Sequence, residues 1–166
     1  MIELMLGITV MSILLAVAVP SFLDTVRRNR LVTQNNEFIS SLNLARSEAL
    51  KRSGSVSVCA SANQTTCSGA TNWTTGWIVF NDVNANGTLD AGDGVTPSPL
   101  LQAVGPAPAE FTMNATRSFV RFGGSGMAPS GIENFELVRT GCVGMHARRI
   151  TVSLVGRVST TTVACP

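Results

Sequence analysis

The chain has 166 residues, 12 Lys and Arg against 10 Asp and Glu for a formal charge of +2, four Cys, one His and no Tyr. That length leaves room for one globular domain beside an N-terminal helical zone, and the lack of any C-x-x-C pair excludes zinc-ribbon and thioredoxin-type chemistry. The wealth of Thr, Val, Ser and Gly after Gly54, with few charges, is the palette of a β-rich domain, and cysteines confined to that part fit an oxidising, extracytoplasmic compartment.

Residues 2 to 19, IELMLGITVMSILLAVAV, form one apolar run that contains a single carboxylate, Glu3, and ends at Pro20. A helix needs about twenty such residues to cross a hydrocarbon layer, so residues 2–22 are expected to span a membrane. A carboxylate in lipid costs roughly 2.5 to 3.5 kcal/mol at the bilayer centre and less near the edge. No Lys or Arg precedes Glu3 to offset that cost, and the first cation is Arg27. Glu3 therefore calls for a cation from another subunit.

Beyond Pro20, Phe22, Leu23, Val26, Leu31, Phe38, Ile39, Leu42, Ala45, Ala49 and Leu50 recur at spacings of three and four. The opposite stripe holds Arg27, Arg28, Arg30, Glu37, Arg46, Glu48 and Lys51, which predicts an amphipathic helix over 23–53. Pro20 removes one backbone hydrogen bond and is expected to kink the helix without ending it. Lys51 and Arg52 suit the C-terminal end of the dipole, and Ser53-Gly54 is the expected stop.

From Ser55 the period becomes two. Strands are expected at Ser55–Ala60, Thr75–Asn81, Glu110–Asn114, Ser118–Phe122, Asn134–Thr140, Arg148–Val155 and Val158–Ala164. Gly156-Arg157 alone separates the last two, which predicts a hairpin with a two-residue turn. Asn81–Pro108, with four of the seven prolines, reads as loop. The expected fold is α+β: a helix over 1–53 packed on an antiparallel, β-rich head over 54–166.

Within the head, residues 54–116 carry four acids and no base, whereas 117–166 carry six Arg against two Glu. The two halves pair within the fold or between stacked subunits, or else the Arg-rich half meets phosphate. The four cysteines allow three pairings, and proximity along the chain favours Cys59 with Cys67 and Cys142 with Cys165. The second pair would close a loop of 24 residues, a constraint of about 3 kcal/mol in the chain-entropy account. Asp82-Val83-Asn84-Ala85-Asn86-Gly87 continues to Asp90 and Asp93 and follows the D-x-[DN]-x-[DN]-G pattern. Oxygen donors on Asp82, Asn84, Asn86, Asp90 and Asp93 would suit calcium; the other reading is a turn whose Asx side chains bond their own backbone. His146 has no companion nucleophile or orienting acid in a catalytic pattern, so neither an enzyme nor a small-molecule substrate is expected.

IELMLGITVMSILLAVAVPSF, then an amphipathic helix and short strands, resembles the N-terminal region of type IV pilins and type II secretion pseudopilins. VSVCAS, NWTTGWIVFNDVNANGTLDAGD, VRFGGSGMA and RRITVSLVGRVSTTTVAC, in that order, are similar to the GspH/FimT group of minor pilins and pseudopilins. The resemblance implies other pilins or pseudopilins as partners in a helical filament. It also implies the inner membrane as the site before assembly, with the head in the periplasm, and an extracellular filament afterwards. Glu3 would neutralise the terminal amine of a neighbouring subunit. Precursors of that family carry a basic leader before the Ile-Glu pair; Met1 stands there in this sequence, and processing by a prepilin peptidase is not read from it. Some FimT-type pilins bind DNA through a G-R-x-R segment. The matching positions here are Gly156-Arg157-Val158-Ser159, so the second arginine is absent, while Arg148 and Arg149 lie one expected strand away. Two phosphate contacts would give weak duplex binding, about 10⁻⁴ to 10⁻⁶ M, with a salt slope near −2.

Overall fold

The structure is a computed structural model that describes residues 2–93 and 99–166; the side chains of residues 15–21, 23 and 24 lie outside the described residues. Helix α1 runs from Ile2 to Arg52. The chain separates into two compact units, Met1–Gln34 and Asn35–Pro166, so the division falls inside α1 and its last turns belong with the strands.

In the first unit the apolar side chains from Ile2 to Leu14 are exposed. The hydroxyls of Thr9 and Ser12 donate to the carbonyls of Met5 and Ile8, at 2.7 and 2.8 Å, four residues back. Those bonds satisfy the only hydroxyls in the apolar run described here, so the helix wall needs no water. Among the described residues no helix is long and apolar enough to cross a membrane. The run expected to do so, 2–22, passes through residues 15–21, and the environment of Pro20 lies outside the described residues for the same reason.

Among its described residues the second unit holds eight strands: β1 Val56–Ala60, β2 Trp77–Asn81, β3 Leu100–Val104, β4 Phe111–Ala115, β5 Phe119–Phe122, β6 Glu133–Arg139, β7 Ala147–Val152 and β8 Val158–Val163. They form two antiparallel sheets, ordered β3-β2-β1-β5 and β4-β6-β7-β8. Phe38 of α1 joins them. Its ring meets Trp77 of β2 at 5.0 Å, Phe135 of β6 at 4.6 Å and Trp73 at 5.6 Å, all edge to face, a geometry that adds about 0.5–1.5 kcal/mol per pair to the area buried. Leu42, Ala45 and Ala49 continue the same stripe and are fully buried.

Every residue of β1 is buried, because its sheet is covered on both faces. Val58 and Ala60 stand opposite Val79 and Trp77, on the face that meets α1. Cys59, Ile78 and Phe80 point the other way, into a smaller cluster closed by Cys67, Leu89, Leu100 and Phe119. The second sheet has one buried face, with Phe111, Met113, Phe135, Leu137, Ile150 and Val152 inward. Its other face carries alternating polar residues, as a half-solvated antiparallel sheet requires.

Two expectations are corrected. Leu100–Val104, read as loop because prolines flank it, is β3 and pairs with β2. Strand β7 stops at Val152 instead of Val155, and the connection to β8 is the five residues Ser153–Arg157. Gly156 N and Ser153 N bond the carbonyls of Ser153 and Arg157, at 2.8 and 3.0 Å, which closes that loop. At the end of α1 the left-handed position is Ser53, with φ 48°; Gly54 N then donates to Ala49 O and Ser53 N to Leu50 O, the two bonds of a Schellman cap.

Candidate functional site

Glu3 lies in the first turn of α1, where a carboxylate meets the positive end of the helix dipole. It is exposed, among exposed Ile2, Leu4, Met5 and Leu6. An acid set in an apolar wall is costly to bury alone and stabilised once a cation joins it.

The loop that follows β2 is organised around its own carboxylates. Asp82, fully buried, accepts from Ser57 Oγ at 2.5 Å, from Gly87 N at 2.9 Å and from Asn86 N at 3.0 Å. Asp93, also buried, accepts from Val83 N at 2.9 Å and Asp90 N at 3.0 Å. The side-chain amides of Asn84 and Asn86 donate to Asp90, Asn86 at 2.7 Å. Those contacts, the Asn86 amide first and the Gly92 N–H next, hold the exposed Asp90 carboxyl below its ordinary range. The five residues expected to face a calcium ion thus bond one another and the loop backbone. Among the described residues no cluster of three or more His, Cys, Asp or Glu side chains could hold a metal ion. Gly87 adopts φ 76°, and a Cβ there would lie 2.5 Å from the Phe119 ring, so this glycine answers to the packing beneath the loop.

The three arginines expected to form a basic patch do not converge. Arg149 faces Glu136 across β6 and β7, and its Nη2 lies 2.6 Å from Glu136 Oε1. Arg148 points to the opposite face and its Nη1 donates to Thr162 Oγ1. Arg157 sits in the loop before β8, exposed, and its guanidinium has no partner among the described residues. Lengthening the turn from two residues to five separates Arg157 from the strand ladder that was expected to align it with Arg149.

Cys59 and Cys67 are bonded to each other, with Cα atoms 5.6 Å apart, and Cys142 and Cys165 likewise, at 5.7 Å. The first bond anchors the segment after β1 to the smaller cluster. The second ties the β6–β7 loop to the end of the chain, and Cys165 N donates to Gly144 O across it. His146 is exposed in that loop.

Three contacts were not anticipated. Arg46, counted on the polar stripe of α1, donates from Nε to Gly126 O at 3.0 Å and from Nη2 to Val155 O at 3.2 Å. Asn35 Oδ1 accepts from Thr160 Oγ1 at 3.1 Å. Glu133 is fully buried, with Oε2 bonded by Thr116 Oγ1 at 2.7 Å; Arg117 Nε stands 2.7 Å from Oε1, out of line for a hydrogen bond, so that contact is ionic. Each joins residues far apart in sequence, a relation that periodicity does not carry.

A family model described as "Type II transport protein GspH" matches residues 34–156. The fold is similar to the type IV minor pilin FimU of Pseudomonas aeruginosa in two crystal forms. One aligns with a TM-score of 0.62 at 20% identity over 82% of this chain and 92% of FimU. The other gives 0.54 at 21% identity over 76% and 88%. No curated protein matches the chain. The family is a structural rather than an enzymatic one. A long helix packed on a two-sheet head, with a family match over most of that head, makes this chain a member of the GspH/FimT group of minor pilins and pseudopilins.

Proposed function

We propose that the chain is a minor subunit of a type IV pilus, held in the inner membrane by the first half of α1 before assembly and in the filament core afterwards. The observation that carries this reading is the exposed apolar wall from Ile2 to Leu14, with Glu3 as its one charge and its hydroxyls bonded back to the helix. Burial of each large apolar side chain contributes about 1.5–3 kcal/mol, so such a wall calls for lipid or other helices. The acid selects a neighbour that brings a cation, and a terminal amine of the adjacent subunit meets that demand at the same depth.

Glu3→Leu tests it. The variant keeps the wall apolar and the head untouched, and it is expected to be absent from sheared filaments while present in the membrane fraction with both disulfides formed. Normal incorporation of Glu3→Leu would end the proposal.

A second reading, a pseudopilin of a type II protein secretion system, is supported by the description of the matching family. The two are separated by loss of the gene, which abolishes surface piliation in one case and release of secreted enzymes in the other.

A further inference from the structure

Six cations stand on α1, and three of them are committed to the protein. Arg46 donates to Gly126 O and Val155 O, and Lys51 and Arg52 pair with Glu48 at 2.8 and 3.0 Å. The other three, Arg27, Arg28 and Arg30, stand within one turn of one another and are all exposed. Asp24 is the one acid between Glu3 and Glu37, so residues 24–36 carry three Arg against one Asp, a net charge of +2.

The rise of the helix sets the level of these arginines. Helix α1 is continuous from Ile2 to Arg52, so at about 1.5 Å per residue the stretch from Ile2 to Phe22 is about 30 Å long, the thickness of a hydrocarbon core. Arg27, Arg28 and Arg30 follow Phe22 by about 7 to 12 Å, and the headgroup layer beyond that core is about 5 to 8 Å deep. Cα–Cβ bonds in a helix tilt toward its N-terminus. Here that is the direction of the apolar stretch, so long side chains lean back into the headgroup layer. Arg27 and Arg30 are neighbours on one stripe, and Arg28 stands about 100° round from Arg27.

From this placement we propose that Arg27, Arg28 and Arg30 form a collar that binds the phosphates of anionic phospholipids in the leaflet from which α1 leaves the membrane. The proposal rests on the membrane-held subunit described above. A guanidinium takes phosphate oxygens two at a time. It carries five donors, so a bond to a neighbour on the helix leaves others for a phosphate. Clustered arginines beside a bilayer are drawn further by the negative charge of such lipids. Bound phosphate fixes the depth of the whole helix. Glu3 lies 24 residues, about 36 Å, before Arg27, so the collar also holds that carboxylate at the opposite edge of the core, where a neighbour's cation can reach it.

The test places the full chain in vesicles of phosphatidylcholine and phosphatidylglycerol in equal parts, with a trace of spin-labelled lipid of either headgroup. Electron spin resonance separates lipid immobilised against the helix from free lipid and gives the relative affinity of the two headgroups. Phosphatidylglycerol is expected to be preferred about threefold, with the preference fading as salt is raised. The triple variant Arg27→Gln, Arg28→Gln, Arg30→Gln is expected to bring the ratio to about one. Lys51→Gln, about 35 Å further along α1, should leave it as in the wild type. A wild-type ratio near one, a preference that salt does not move, or a triple variant that keeps the preference overturns the collar and leaves the membrane-held subunit standing. The salt series uses the wild type alone, so it decides the matter even if a variant fails to insert. A wild-type chain that immobilises neither lipid is not in the bilayer, and that result overturns the membrane-held subunit together with the collar.

Discussion

Arg149 and Glu136 stand directly opposite each other on β7 and β6 and share an ion pair, with Arg149 Nη2 and Nε 2.6 and 3.1 Å from the same carboxylate oxygen. Both side chains are close to half exposed, so the pair contributes little to stability. Its consequence is for phosphate: any anion approaching Arg149 meets Glu136 as well. A basic hairpin read from the sequence as two or three arginines strong is reduced to Arg157.

Duplex DNA binding by the chain is accordingly expected to be weak, with a log–log salt slope near −1 in place of −2, since each neutralised phosphate contributes about −0.9. Arg157→Ala should remove it. Glu136→Gln should release Arg149, steepen the slope toward about −2 and strengthen binding. A mobility-shift titration at low salt reads all three, and indifference to both substitutions would show that these arginines serve the fold.

The loop from Asp82 to Asp93 leads to a second prediction. Asp82 is surrounded by three donors from Ser57, Asn86 and Gly87. Asp82→Ala would strand the buried donors of Ser57 and Gly87, at about 1–3 kcal/mol for each unsatisfied group, while Asn86 N keeps Asn84 Oδ1 as an acceptor. A loss of stability of about 2 kcal/mol or more is expected on denaturant melts, whereas Val83→Ala, on an exposed side chain, should leave the midpoint nearly unchanged. Because the loop oxygens are committed to internal donors, melting curves with calcium and with chelator should coincide. A rise in midpoint with calcium would mean that the loop opens to bind it.

Periodicity and composition carried the helix, the position of its stop and seven strands to within a few residues, because most of these elements have one face to bury and β1 and β2 are short apolar runs bounded by turn residues. They failed at β3, where flanking prolines mask a five-residue strand at a sheet edge. They also failed at the end of β7, where Leu154 and Val155 extend the β-branched and aliphatic pattern yet lie in a loop, half exposed or more. Asp82 shows the same limit at a site: its sequence pattern is shared by a metal loop and an Asx turn, and only the position of Ser57 on the neighbouring strand decides what the carboxylate bonds. Arg46 looked solvated because its neighbours on the helix are, whereas two carbonyls from distant loops meet its guanidinium.

Those two carbonyls lead to the last prediction. Arg46 holds Gly126 O and Val155 O together, and Gly156 lies buried between them with φ 73°. A Cβ at Gly156 would fall 1.9 Å from Gly126 O and 3.0 Å from Arg46 Nε. The first neighbour is backbone that cannot swing aside, and the conformation itself disfavours an L side chain. Gly156→Ala should therefore cost more than about 1 kcal/mol and lower the thermal midpoint by several degrees. Gly144 has nearly the same φ, 76°, but open space around it, so Gly144→Ala should show the conformational cost without the collision. If the two substitutions lower the midpoint equally, the contact between the hairpin loop and Gly126 adds nothing, and Arg46 alone fastens α1 to that end of the head.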